Sequence, residues 1–249
     1  MGIESPNKGI SVVLLYHRLG LPKLSSAVAG QYVAPPLFRS QLDYLTSRGW
    51  HWSSLEDTIE RARFGNRPPR NEFALTFDDG YESVYKHAAP ALLERGMRAT
   101  VFVVADAIGK VNQWDRNAGD RTERIVSAGQ VRELASCGFE IGSHTLTHPH
   151  LTDLDEASLR RELRDSRRKL EDLIGAEVAS LAYPYGDYDD RVLAATIVAG
   201  YKCAVGTKLG VAGRTSVYEV PRVNVRWSAV GPLLIRKIGR ARKASGIGG

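Results

Sequence analysis

Short apolar runs rich in branched side chains alternate with amphipathic patterns along most of the chain. The apolar runs predict strands at residues 10–16, 73–77, 100–104, 139–142, 180–183, 202–205 and, more weakly, 220–225. Helical patterns lie at residues 38–48, 83–95, 128–136, 158–174 and 189–199. Strands that alternate with helices of this length build a parallel sheet from βαβ units. We therefore expect an α/β fold, either an open doubly wound sheet or a closed barrel.

Length and composition indicate a single globular domain. The chain has 249 residues, of which 43% are hydrophobic and 25% charged, and α/β barrels of this length commonly fold as one unit. We predict one domain over residues 1–249, with a core at about 10–225 and a basic C-terminal tail. The net charge is +6. Because no base-reading elements accompany the basic residues, we expect no nucleic-acid partner and interpret the excess as a solvated surface.

Neither a membrane span nor an export signal is evident. No apolar run approaches the ~18 residues that would span a bilayer, and residues 10–15 are too short for a signal peptide. The basic tail shows no amphipathic run that would favour a membrane surface. As it stands the sequence indicates a cytoplasmic protein, and an extracellular or cell-envelope protein if a leader was removed, so the compartment stays open. Nothing in the sequence indicates an oligomeric state.

Polar side chains directly follow three of the predicted strands. Asp78, His144 and Tyr185 each occupy such a position. In α/β barrels the chemistry lies on loops after the carboxyl ends of the strands, so a barrel would bring these three segments to one rim. Residues 20–36 and 110–124 predict surface loops that form walls of a substrate groove. No Gly-x-Gly-x-x-Gly or Walker loop occurs, so nucleotide binding has little support.

The residues at this rim are those that hold a divalent metal. Asp79, His144 and His148 offer one carboxylate and two imidazoles, a ligand set suited to zinc with other divalent metals possible. Two histidines four positions apart are weak evidence alone, and Asp-Gly is also a turn signal. Two adjacent aspartates at a buried strand end are costly, however, unless a metal or protons neutralise them. We predict that one carboxylate holds a metal while its neighbour faces the substrate.

Three motifs resemble those of the polysaccharide deacetylases, the NodB-type carbohydrate esterase family 4. Residues 76–80 (TFDDG) and 143–149 (SHTLTHP) are similar to the first two family motifs, and residues 182–186 (AYPYG) to the third. The resemblance runs in order from about residue 10 to 225. It implies a distorted (β/α) barrel, usually of seven parallel strands. It also implies a hydrolase that removes N- or O-acetyl groups from an acetylated saccharide with a divalent metal.

The resemblance also implies roles for single residues. Asp78 would be the general base, and Asp79, His144 and His148 would be the metal ligands, with zinc as the expected metal. Tyr185 would offer its backbone N–H to the oxyanion. These roles fit the chemistry of metal-assisted acyl hydrolysis.

The sequence departs from the family pattern in two places. The third motif usually begins with an arginine that orients the base, and Ala182 stands there; we predict that Arg222 replaces it. The family usually has a later histidine that protonates the departing amine, but none follows His150. We predict His17 as the general acid, with two alternatives: that it only positions another group, or that Asp78 serves twice.

Two other functions remain open at this point. One is a metal-free amide or imide hydrolase of the same fold, which is expected to lack the histidine pair. The other is a non-catalytic glycan-binding module, suggested by Ala182 and the missing late histidine. Tyr183 and Tyr185 either line a sugar or pack in the core. The identity of the sugar, its polymer length and the choice between amide and ester stay open.

Overall fold

The protein is described here by a computed structural model that covers residues 9–22, 26, 28–64, 66–115, 122–213 and 216–246. The strands are β1 Ser11–Tyr16, β2 Arg18–Leu19, β3 Tyr32–Val33, β4 His51–Trp52, β5 Glu72–Phe77, β6 Thr100–Val103, β7 Glu140–Ser143, β8 Ser180–Ala182, β9 Cys203–Val205 and β10 Val223–Asn224. The α-helices are α1 Pro35–Ser47, α2 Leu55–Arg63, α3 Ala89–Leu93, α4 Ala128–Ser136, α5 Glu156–Ile174, α6 Asp190–Val198 and α7 Gly231–Ala244.

Seven parallel strands form one curled sheet in the order β10-β1-β5-β6-β7-β8-β9. The short β4 pairs with the first residues of β5, and β2 pairs with β3 in a separate ribbon. Beyond β9, Val205 forms a parallel bridge with Val220, which lies just before β10. The sheet therefore curls until its edge strand β9 meets the segment that leads into the opposite edge strand, β10. The predicted distorted barrel of seven parallel strands is confirmed.

The sheet is buried on both faces, which explains its near-continuous apolar strands. All six residues of β1 are buried. Side chains that point into the barrel form a small core of their own, which includes Val13, Ala74, Phe102 and Val205. Gly142 in β7 belongs to this interior, because a Cβ there would lie 2.4 Å from the ring of Phe102.

One predicted helix contains an irregular turn. In the segment predicted as helix 83–95, residues Val84–Ala88 form a π-helical turn before α3 begins. Pro90 lacks the N–H that would bond to the preceding turn, so the helical hydrogen-bond ladder cannot run regularly through it. The other four predicted helices are present with ends shifted by up to three residues.

The predicted basic C-terminal tail forms helix α7, and the hydrophobic core extends into it, beyond the expected limit at about residue 225. Leu234, Ile238 and Ala241 of α7 are buried, at the spacing of one helical face. α7 packs against α1. The interpretation that this segment has no amphipathic run was therefore wrong. The amphipathic pattern is hard to recognise in the sequence because basic residues outnumber the three buried apolar residues.

Helix α2 was not predicted either. It is short, and its N-terminus is capped by Ser54, whose side chain accepts a hydrogen bond from Asp57 N–H.

None of the helices in the described ranges is both long and apolar enough to cross a bilayer. Cys137 caps the end of α4 and Cys203 lies buried in β9, both as free thiols. The two loops predicted as groove walls fall partly outside the described residues, at 23–25, 27 and 116–121. The described part of the second loop reaches the candidate site through Trp114 and Asp115.

Candidate active site

The predicted site residues lie just past the carboxyl ends of neighbouring strands. Asp78 N–H donates to Tyr16 O over 3.0 Å, and His144 N–H donates to Val103 O over 2.9 Å. Each bond continues the sheet ladder by one residue beyond its strand. The backbone at both motifs is thus held by the barrel, and their side chains are brought to one rim.

Asp79, His144 and His148 converge. The Nε2 atoms of His144 and His148 lie 3.3 and 3.4 Å from Asp79 Oδ1, and the three donor atoms all lie within 4.8 Å of one another. All three residues are buried, with exposed fractions of 6% or less. Contacts with the imidazoles hold the pKa of the Asp79 carboxyl well below its usual range, although burial alone would raise it.

The tautomer of His144 is set by the backbone. Its Nδ1 lies 2.7 Å from Ala182 O. Because a carbonyl only accepts, Nδ1 must carry a hydrogen, which leaves Nε2 with a free lone pair when the imidazole is neutral. His148 stacks on Trp114, with ring centroids 4.7 Å apart and planes at 21°. The donor types, their convergence and the lone pair of His144 fit a divalent metal such as zinc.

Asp78 is turned to a different partner. Both of its carboxylate oxygens accept hydrogen bonds of 2.7 Å from Arg222. The guanidinium is fully buried and also donates to Gly206 O over 2.7 Å and to Thr76 Oγ1 over 3.1 Å. Burial alone would raise the pKa of Asp78, but Arg222 and His144 outweigh it and lower the pKa. The contact predicted for Arg222 is present.

The site concentrates backbone strain. Four non-glycine residues in the described ranges have positive φ, and all belong to the candidate motifs: Asp79 (72°), Thr145 (65°), His148 (67°) and Tyr185 (60°). Such angles cost energy and persist where surrounding contacts impose them. The two aspartates therefore separate through a left-handed turn at Asp79 rather than through the alternation of an extended strand.

His17 and Tyr185 border the same rim. His17 is half-buried, and its Nδ1 is buried with no hydrogen-bond partner among the described residues. Burial lowers the pKa of His17, while the nearby charges of Asp79 and Asp78 oppose that shift. Tyr185 is 45% exposed, and its ring meets the edge of His148 at 4.7 Å between centroids. Tyr183 is buried and its hydroxyl bonds to Tyr218 O, so it packs in the core.

The remaining histidines lie apart from the donor cluster. His150 stacks on Tyr185 at 3.8 Å, and its Nδ1 lies 2.8 Å from Asp187 Oδ2. His51 and His87 are exposed.

Sequence reasoning missed a buried polar cluster beside the site. The Arg18 guanidinium pairs with Asp115 and donates to the hydroxyls of Tyr32 and Tyr81 over 3.0 and 2.7 Å. Asn112 Nδ2 also donates to Asp115, over 2.8 Å. The only available signal was the position of Arg18, directly after His17 at the end of the first predicted strand. Local pattern could not show that this arginine is buried.

Fold and site define the class of protein. Residues 65–204, more than half of the chain, match the sequence profile of the polysaccharide deacetylases. The chain belongs to the polysaccharide deacetylase family, a class of carbohydrate deacetylases.

Several individual proteins are similar to it. The chain is 27% identical over 214 residues to YxkH of Bacillus subtilis, whose name places it among the polysaccharide deacetylases; the match covers 86% of this chain and 70% of YxkH. It is 24% identical over 222 residues to a Staphylococcus aureus poly-β-1,6-N-acetyl-D-glucosamine N-deacetylase, and the match covers 85% of this chain and 74% of that protein. The deacetylase PplD of Streptococcus pyogenes, whose structure was solved in complex with acetate, shares the fold with a TM-score of 0.79 at 23% sequence identity. The superposition covers 93% of this chain and 99% of PplD.

Proposed function

We propose that this protein is a metal-dependent hydrolase that removes acetyl groups from an N-acetylated sugar or polysaccharide. One observation carries the proposal. Three metal-type donors converge at Asp79, His144 and His148, while the adjacent carboxylate of Asp78 is held away from them by Arg222. A structural turn would not need this division between two neighbouring aspartates. The name of the Staphylococcus aureus relative supports a β-linked N-acetylglucosamine polymer as the substrate class.

Asp79, His144 and His148 would hold the metal, with zinc expected from two imidazoles and one carboxylate. When bound, a divalent cation supplies Lewis acidity that lowers the pKa of water and polarises a carbonyl oxygen. His144 is oriented for this role by the carbonyl of Ala182. Trp114 covers one face of His148 and helps to keep that ring in place and away from bulk water.

Asp78 would act as the general base. Its carboxylate is buried and ionised, and it can accept the proton of an attacking water. Arg222 binds both oxygens in a bidentate arrangement, which sets the plane of the carboxylate. The lone pairs that the guanidinium does not occupy remain available for the proton. Arg222 therefore supplies the orientation that the family obtains from an arginine at the position of Ala182.

Two further groups would complete the reaction. The backbone N–H of Tyr185 would stabilise the negative oxygen that forms from the acetyl carbonyl, because donors aimed at developing charge lower the barrier. His17 would deliver a proton to the departing amine nitrogen. The unpartnered Nδ1 of His17 shows that the ring is not committed to a structural hydrogen bond among the described residues.

The test measures acetate release from soluble β-1,6- and β-1,4-linked N-acetylglucosamine oligomers before and after chelation, and again after zinc is restored. Asp79→Asn should abolish release, and Asp172→Asn, at an exposed carboxyl of α5, is the matched control. Loss on chelation and recovery with zinc are expected. Activity that is indifferent to chelation would instead support a metal-free amide hydrolase. Oligomer binding without any acetate release would support a glycan-binding module.

A further inference from the structure

The whole net charge of the protein lies in its last helix and the loop before it. Residues 223–249 contain six arginines and lysines and no acidic residue, which equals the net charge of +6 for the complete chain. Residues 1–222 are therefore neutral as a set. A charge imbalance confined to one element acts as a local field rather than as a general surface property.

Five of these cations share one surface, here called the basic face. It consists of Arg226 in the loop before α7 and of Arg236, Lys237, Arg240 and Lys243 in α7. Arg236, Arg240 and Lys243 are four and three positions apart, which places them on one side of the helix, and Lys237 borders them three positions before Arg240. The opposite side of α7 is anchored by its buried residues. The basic face is thus turned outward by the packing of the helix.

Within the described ranges, no carboxylate balances the basic face at its centre. A groove runs between the loop and α7, and none of the described residues that line it is acidic. Partial burial lowers the pKa of Lys237, and the neighbouring charges of Arg226 and Arg240 lower it further. Positive charges held this close together favour the binding of an anion from outside the protein.

Exposed apolar side chains border the basic face at the start of α7. Trp227 is 61% exposed, and Val230 and Leu233 are each 47% exposed. Leu233 also lines the groove with Arg236 and Arg240. An aromatic and two aliphatic side chains next to arginines and lysines form the combination that binds the boundary between lipid headgroups and acyl chains.

We infer that the basic face, with Trp227, Val230 and Leu233, docks the protein on the surface of an anionic lipid bilayer. The phosphates of anionic headgroups would occupy the groove, and Trp227 would enter the headgroup region. A soluble polyanion would satisfy the charges but would give no reason for three exposed apolar side chains. The apolar group therefore favours a bilayer.

This surface adjoins the catalytic rim. The loop that carries Arg226 and Trp227 directly follows β10, and Val225 N–H donates to Leu15 O at the end of β1. β1 leads into His17, and Arg222, which binds Asp78, directly precedes β10. Docking would therefore hold the candidate active site beside the membrane surface, close to substrates anchored there.

The experiment is co-sedimentation of the full chain with vesicles of phosphatidylcholine alone or with 30% phosphatidylglycerol. We expect binding only to the anionic vesicles and loss of binding in 0.5 M NaCl. Because each basic residue near an anionic surface contributes roughly a fivefold factor, Arg236→Gln/Arg240→Gln should weaken binding about 25-fold. The matched control, Arg160→Gln/Arg164→Gln, removes the same charge from exposed positions of α5 and should bind like the unaltered protein.

A second arm separates lipid from polyanion. Trp227→Ser should weaken vesicle binding several-fold without affecting acetate release from a soluble oligomer. Absence of vesicle binding, equal binding to neutral vesicles, or equal loss in the α5 control would overturn the inference. So would binding to soluble polyglutamate as tight as to vesicles with no effect of Trp227→Ser. Because vesicle binding is read without catalysis, its outcome is independent of the proposed deacetylase activity.

Discussion

Arg222 and Asp78 are separated by 144 positions in the sequence and share two hydrogen bonds of 2.7 Å inside the barrel. The pair is buried on both sides. It joins the end of β5 to the segment that enters β10, and Arg222 also donates to Gly206 O, directly after β9. Arg222 thus links the two edges of the curled sheet and orients the carboxylate that we propose as the base.

Replacing Arg222 with lysine tests this orientation. Lysine keeps the positive charge near Asp78 but cannot form the bidentate pair. We expect kcat to fall about 10–100-fold, the usual cost of losing an orienting partner, with unchanged zinc content. Steady-state kinetics and metal analysis provide the measurement. Equal losses of zinc and activity would argue that Arg222 maintains the whole site rather than the base.

Removing one proposed ligand tests the metal site. His148→Ala should lower the bound zinc per chain sharply, because a site with two protein ligands holds the metal far less firmly than one with three. His87→Ala alters an exposed histidine outside the cluster and should keep its zinc. Metal analysis after gel filtration compares the two. Full zinc retention by His148→Ala would refute the proposed ligand set.

The acid role of His17 can be isolated with the choice of leaving group. His17→Ala should lower amide turnover by about 100-fold or more, the usual contribution of a positioned acid. Hydrolysis of 4-nitrophenyl acetate should fall much less, since 4-nitrophenolate leaves without protonation. His51→Ala, at an exposed position, is the control. Equal losses on both substrates would assign His17 a positioning role instead.

The proposed catalytic role of Tyr185 depends on its backbone N–H and not on its side chain. Tyr185→Asn keeps the N–H and suits the left-handed φ of 60°, but it removes the ring. We expect KM for an oligosaccharide to rise about two- to tenfold through the loss of ring contacts, with little change in kcat. A large fall in kcat at constant KM would show that the side chain itself takes part in the chemistry.

Stability should respond to pH through Glu140. Burial raises the pKa of its carboxyl, although Ser180 and Thr100 donate hydrogen bonds to it. A carboxyl group whose pKa is higher in the folded than in the unfolded state stabilises the folded protein at pH values below its unfolded-state pKa, near 4.5. This contribution is lost as the pH rises through the folded-state pKa. Glu140→Gln does not titrate, so its melting temperature relative to the unaltered protein should rise between pH 4 and pH 8. A difference in melting temperature that stays constant across that pH range would contradict the raised pKa of Glu140.

Much of the fold followed from local pattern. The seven main strands were predicted within three residues at either end because parallel strands buried on both faces read as apolar runs. α7 was missed because its three buried anchors lie among many basic residues, and the π-helical turn before α3 depends on one proline that interrupts an otherwise regular pattern.

The sequence by itself determined the strands, the fold class and the chemical identity of the metal-type donors, since these depend on side-chain type and short-range spacing. Only the tertiary structure decided which distant groups meet. The contacts of Arg222 with Asp78 and of Arg18 with Asp115, and the outward direction of the basic face, depend on how the sheet curls and closes. Such pairings arise from the packing of the whole barrel, which no local sequence period encodes.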